Sequence, residues 1–310
     1  MTYKNPILNA IAENIEKIII GKEKAIELII IALLCEGHVL IEDVPGVGKT
    51  SMVSALARSI NCSFKRIQFT PDILPSDITG FSIFNQKTQE FEYHEGLCMS
   101  NLILADEINR TSPKTQASLL EVMEEYRVTV DNETHEMPRP FMVLATQNPI
   151  NYVGTYPLPE AQIDRFFMKI SLGYPNEAEE IEILMRHKSN KQMEKLSNVA
   201  QAGDISALQA QVGEVIAEET ICEYITRLTN ATRINEDVLL GASPRGSLML
   251  LRAACAAAFL DEREYVIPDD VKKVASAVLS HRLVLTQDAK LRKVQPEEII
   301  KQIIATEKVF

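Results

Sequence analysis

The stretch "IEDVPGVGKTS", residues 41–51, decides how this chain folds. The apolar run "HVLIE" leads into it. Behind it, residues 50–60 set Met52, Val53, Leu56, Ala57 and Ile60 on one face of a helix. A strand, a glycine-rich turn and an amphipathic helix are the setting of a phosphate-binding loop, whose usual pattern is G-x-x-x-x-G-K-[ST]. Asp43 stands where that pattern has its first glycine. Backbone N–H groups from Gly46 through Ser51 would wrap an anion at a helix N-terminus, and Asp43 precedes that wrap. Aspartate tolerates turn conformations. It is therefore expected to bend the approach to the loop, not to empty the site. Gly46 and Gly48 keep side chains clear of the anion. Lys49 supplies charge to the outer phosphates, and Thr50 offers a hydroxyl to Mg²⁺.

Further strand-like runs end in polar residues. "LILADEINR" (102–110) closes on two carboxylates, Asp106 and Glu107, which strand alternation sends to opposite sides of the chain. One can hold a Mg²⁺ shell while the other polarises a water for in-line attack, although acidic residues also open ordinary loops. "FMVLATQNP" (141–149) leads to Asn148, which can bond the attacking water or the terminal phosphate, or simply mark a turn. "LPEAQIDRFF" (158–167) places Arg165 just before another strand, with Asp164 or Glu160 as ordinary salt-bridge partners. In "GASPRGS" (241–247), Ser243 fits an N-cap and Pro244 the first helical position. Arg245 then falls in the first turn, reaching for an anion or solvated.

The runs at 37–42, 63–69, 101–105, 141–146 and 167–172 alternate with helical patterns. That alternation predicts an α/β fold, a parallel five-stranded sheet with helices on both faces. Residues 81–96 and 126–137 break the rhythm with period-two patterns across polar turns, and read as inserted β-hairpins or irregular loops. Past Gly173 and Pro175 the strands stop, and Asn176 fits the cap of a helix with an acidic first turn. The expected domains are an α/β core, residues 1–173, and an all-helical unit, residues 174–310. The latter ends in a tail with a short amphipathic helix from about Pro296, which packs on its own unit or meets a partner.

A chain of 310 residues, 46% of them hydrophobic, suits two domains with a sizeable core. A formal charge of −11 argues against broad binding to nucleic acid or anionic membrane. The five cysteines form no C-x-x-C pair and read as reduced thiols of a cytosolic protein, and the five histidines show no ligand spacing. No apolar run reaches the roughly 18 residues of a membrane span. Glu13 and Glu16 interrupt the stretch where a signal peptide would be apolar.

In this order the pieces resemble an AAA+ ATPase, and more closely the MoxR family, over residues from about 15 to 285. The resemblance is carried by "EDVPGVGKTS", "FTPDILPSDITG" (69–80), "LADEINRTSPKTQASLLEVMEE", "ATQNPI", "YPLPEAQIDRF" and "GASPRGSLMLLRAA". MoxR-like chains commonly carry the aspartate before the shortened loop. "EGLCMSN" departs from relatives at Cys98 and Met99. The resemblance implies an ATP- and Mg²⁺-dependent core followed by a helical lid, with the hairpins as the insertions of this AAA+ branch. Pro45, Gly46, Val47, Gly48, Lys49, Thr50 and Ser51 would form the Walker A loop, with Thr50 as a magnesium ligand. Asp106, on the metal, and Glu107, the catalytic carboxylate, would be Walker B. Asn148 would be sensor 1, Arg165 an arginine finger acting on a neighbouring subunit, and Arg245 sensor 2 in the lid. Backbone near Ile20 and Gly21 in "IIIGKEKA" (18–25) would lie against adenine, and Arg110 would face a neighbour.

Members of the family form rings, usually of six, and act as chaperone-like remodelers, often beside von Willebrand A-domain proteins. The implied function is an ATP-hydrolysing ring motor acting on partner or client proteins. A metal-chelatase-type subunit differs from it mainly by partner. A helicase-like DNA remodeler is opposed by the acidic balance. A nucleotide-gated scaffold is opposed by the intact Asp106, Glu107 and Arg165.

Overall fold

The computed structural model describes residues 3–44, 46–147, 155–187 and 196–309. Its first half carries strands β1 (Val39–Glu42), β2 (Phe64–Gln68), β3 (Gly80–Asn85), β4 (Glu90–Glu95), β5 (Leu102–Asp106), β6 (Arg127–Val130), β7 (Glu133–Glu136), β8 (Met142–Gln147) and β9 (Met168–Ile170). Five of them form one parallel sheet in the order β2-β5-β8-β1-β9. β1 and β5 are separated only by β8, so the phosphate-type loop after β1 and the carboxylates after β5 open on the same sheet edge. β3–β4 and β6–β7 are the two expected hairpins. They touch through Tyr93 and His135, whose rings stack at 3.8 Å.

Side-chain alternation along the central strands builds two layers. Val39, Ile41, Leu102, Leu104, Met142 and Leu144 face one apolar cluster with the Pro6–Ile18, Glu23–Leu34 and Lys49–Ser59 helices. Leu40, Ile103, Ala105, Val143 and Ala145 face a second, closed by the Pro113–Glu125 helix. His38 is buried at the start of β1 and ties that helix to the sheet. Its Nε2 lies 2.9 Å from the Met123 carbonyl, and its Nδ1 accepts from the Val143 N–H at 3.0 Å.

Burial pushes the His38 imidazole down to about 4. An unfolded chain therefore binds the proton first. The stability His38 contributes is present above about pH 6.5 and is lost as the pH falls toward 4, at up to about 1.4 kcal/mol per pH unit. Urea unfolding at pH 7 and pH 5 should show the wild type losing about 2 kcal/mol more than His38→Asn. Buried His281 is shifted the same way by burial, but it is present in both proteins and cancels. Equal losses would refute the assignment.

Among the described residues the second half is helical, as expected, apart from a two-stranded antiparallel ladder between β10 (Val238–Leu240) and β11 (Val284–Leu285) and a single bridge between Ile216 and Tyr265. Segments of three and two residues are too short to leave a periodic signal. The Pro296–Thr306 helix of the tail buries Ile299, Ile300 and Ile303 in the main cluster, and Glu297 pairs with Lys169 of β9 at 3.2 Å. The tail thus packs on its own chain. The Asn176 cap is present too, accepting from the Glu179 N–H at 3.0 Å. Among the described residues no helix is long and apolar enough to cross a membrane.

Candidate functional site

The loop after β1 turns on Gly46 at φ +89° and Gly48 at φ +93°, and Gly48 caps the Lys49–Ser59 helix. A Cβ at Gly46 would meet no atom within 4 Å, and at Gly48 it would meet Ile19 Cδ1 at 3.4 Å. The left-handed backbone, more than neighbouring protein atoms, is what calls for glycine here. Val47 packs on the main cluster, and the helix N-terminus points its free amides at the space beyond. Lys49 Nζ donates to the carbonyls of Asp43, at 3.1 Å, and Val44, at 3.4 Å.

That space is a cavity of about 450 Å³ lined by Gly46, Gly48, Lys49, Thr50 and Ser51, and by both Asp106 and Glu107. The two carboxylates do not face opposite ways as strand alternation would send them. Glu107 lies one residue beyond β5 with φ +56°, and this left-handed turn returns its side chain to the side of Asp106. Thr146, the fifth residue of β8, sets both. Its Oγ1 donates to Asp106 Oδ1 at 2.7 Å and accepts from the Glu107 N–H at 2.9 Å. Arg66 Nη2 reaches Asp106 Oδ2 at 2.6 Å. Gln68 Nε2 and Arg110 Nη1 reach Glu107 Oε2 at 3.1 and 2.9 Å. Arg110, expected to face a neighbour, is thus paired with its own chain's Glu107.

Arg66, Gln68 and Thr146 were not singled out in the sequence. Their only signal was position: Arg66 and Gln68 alternate along β2, opposite β5 in register, and Thr146 follows the apolar run of β8. Pro45 and Asn148 lie outside the described residues. At Gly21, φ +69°, the Glu179 carboxyl sits where a Cβ would point, so the segment with Ile20 and Gly21 is covered by the first turn of the Glu177–His187 helix.

Arg165 and Arg245 are not in this cavity. Both hold the Glu124 carboxylate, with Arg165 Nη2 at 3.2 Å from Oε2 and Arg245 Nη2 at 2.5 Å from Oε1. Neither Asp164 nor Glu160 pairs with Arg165. Asp164 instead accepts from Ser243, the N-cap of the Pro244–Leu260 helix, and lies 3.0 Å from the Nε of buried Arg282. These contacts bring the two arginines together where core and helical unit meet. Chemically, the cavity joins amide donors, an ammonium, the hydroxyls of Thr50 and Ser51 and the carboxylates of Asp106 and Glu107, the set that handles a polyphosphate and an attacking water.

The model of the ATPase family associated with various cellular activities (AAA) matches residues 38–168, and the AAA lid domain matches residues 230–303. The chain is 52% identical to the uncharacterized protein YeaC of Bacillus subtilis, over 98% of its own length and 95% of that protein's. It is 44% identical to the chaperone MoxR1 of Mycobacterium tuberculosis, over 94% of this chain and 79% of that protein. The crystal structure of a candidate ATPase from Cytophaga hutchinsonii is similar with a TM-score of 0.91 at 38% identity, covering 97% of this chain and 94% of that one. An AAA core of this kind is a nucleotide-binding unit. With relatives this similar over nearly its whole length, the chain belongs to the MoxR family of AAA+ ATPases.

Proposed function

We propose that this chain hydrolyses ATP as the subunit of a ring, usually of six, and uses the cycle to remodel partner or client proteins. One observation carries the reading: the glycine loop, Lys49, Thr50, Asp106 and Glu107, far apart in sequence, line a single cavity. In this proposal the amides from Gly46 to Ser51 cradle the phosphates and Lys49 neutralises the outer ones. Glu107 takes the proton of the attacking water, and Asn148 is assigned as sensor 1. Thr50 and Asp106 offer hard oxygen donors in the same cavity, a set that fits Mg²⁺, which when bound neutralises charge on the phosphate oxygens. Ile20 and Gly21 would bound the adenine.

Arg165 and Arg245 share Glu124 instead of lining the cavity. That supports a role for both at the nucleotide of a neighbouring subunit. Residues 1–173 would act as the ATPase core and 174–310 as the lid. Five unpaired cysteines suit a reducing cytoplasm. A von Willebrand A-domain protein is the proposed partner class.

Lys49→Ala tests the site. The variant should bind a nonhydrolysable ATP analogue on the order of 100-fold more weakly, the loss of charge-assisted bonds worth about 1.5–3 kcal/mol each. Calorimetric titration reads it, and unchanged affinity would refute the site. A steady-state ATPase assay on assembled rings separates a motor from a nucleotide-gated scaffold.

A further inference from the structure

Asp43 stands where the common loop has glycine, and its side chain has an occupation of its own. The residue is buried, 6% exposed. Its carboxylate accepts three hydrogen bonds: Ser171 Oγ–H at 2.8 Å, the Leu172 N–H at 2.5 Å and the Gly173 N–H at 3.0 Å. Buried carboxylates need such donors, and bonds to an ionised acceptor are stronger than neutral ones. All three donors lie on one short strap. It leaves β9 and leads through Gly173, φ +61°, to the helix that begins at Glu177.

The other end of Asp43 faces the loop, because its carbonyl is one of the two that accept hydrogen bonds from Lys49 Nζ. The strap is held a second time: Lys22 Nζ donates to the Tyr174 carbonyl at 3.0 Å and lies 3.7 Å from Glu179. One residue therefore joins the lysine that meets the outer phosphates to the peptide units on which the helical unit hangs.

We propose that Asp43 is a positioning residue that couples nucleotide at Lys49 to the Ser171–Gly173 strap. The inference rests on the nucleotide reading of the cavity. A triphosphate competes for the Lys49 ammonium, the Asp43 carbonyl loses its share, and the carboxylate passes the adjustment to the Leu172 and Gly173 amides. A glycine at position 43 would hold phosphates as well and transmit nothing.

Hydrogen exchange read over residues 170–176, with and without a nonhydrolysable ATP analogue, tests this on the full chain. In the wild type the analogue should change exchange at Leu172 and Gly173. Asp43→Gly should bind the analogue within about threefold of wild type and show no such change. Its kcat should fall about tenfold, with KM for ATP nearly unchanged. Ser171→Ala, at an exposed position, removes one of the three bonds and should show a smaller loss of the same kind. It carries the test alone if melting shows Asp43→Gly unfolded.

Three results would overturn the inference. One is a nucleotide response of wild-type size in the folded variants. Another is a loss of binding in Asp43→Gly as large as in Lys49→Ala, which would make Asp43 part of the loop's own construction. The third is a wild type that binds no analogue, which the wild-type titration identifies as failure of the nucleotide reading itself.

Discussion

Glu107→Gln should bind ATP as the wild type does and hydrolyse it about 10²–10⁴-fold more slowly, the usual worth of a positioned general base. The substitution keeps size and shape. It removes the charge that can take a proton from water. The backbone that aims the residue is unaffected, because it depends on the left-handed turn at position 107 and on the bond from its N–H to Thr146 Oγ1. Asp106 keeps its own bonds to Thr146 and Arg66. Binding and turnover should therefore separate cleanly. In the wild type, Arg110 and Gln68 both donate to Glu107 Oε2 and hold the carboxylate at the cavity wall. Single-turnover hydrolysis with saturating ATP is the measurement. A rate within tenfold of wild type would sink the assignment of Glu107 as base.

The sheet was legible because β1, β5, β8 and β9 lie in apolar runs bounded by polar or turn residues, and β2 alternates. Both hairpins were legible from period-two alternation. The cavity was half legible. Loop glycines, Lys49, Thr50, Asp106 and Glu107 announce themselves by type and by place at strand ends. Thr146, Arg66 and Gln68 do not, because their importance comes from the strand order β2-β5-β8, which brings them beside β5. The facing of Glu107 was misread for a local reason. Alternation holds only while φ stays extended, and the chain leaves the strand at that residue. The partner of Arg165 was beyond reach in sequence, since Glu124 meets it only through packing of the Pro113–Glu125 helix. Asp43 was expected to bend the approach to the loop, but its three donors come from residues 171–173, far along the chain.

Arg165→Ala should bind ATP normally and lose about 10³–10⁵ in turnover, the range for an arginine that stabilises the transferring phosphoryl group. The geometry gives the loss a distinctive form. Arg165 is held by Glu124 outside its own chain's cavity, so its proposed target is the nucleotide of the next subunit. Mixing Arg165→Ala with Lys49→Ala protomers then creates interfaces that have an intact loop on one side and an intact arginine on the other. Random mixing in equal amounts makes about a quarter of the interfaces of this kind. Activity should rise toward that fraction, although each parent alone is inactive. Arg245 shares the same carboxylate, so Arg245→Ala mixed with Lys49→Ala should recover activity in the same way. An Arg245 that served its own subunit's nucleotide would give no rescue, because the protomer with the intact loop would lack it. Absence of recovery in the Arg165 mixture, with mixed rings demonstrated by mass, would refute the trans assignment for the finger.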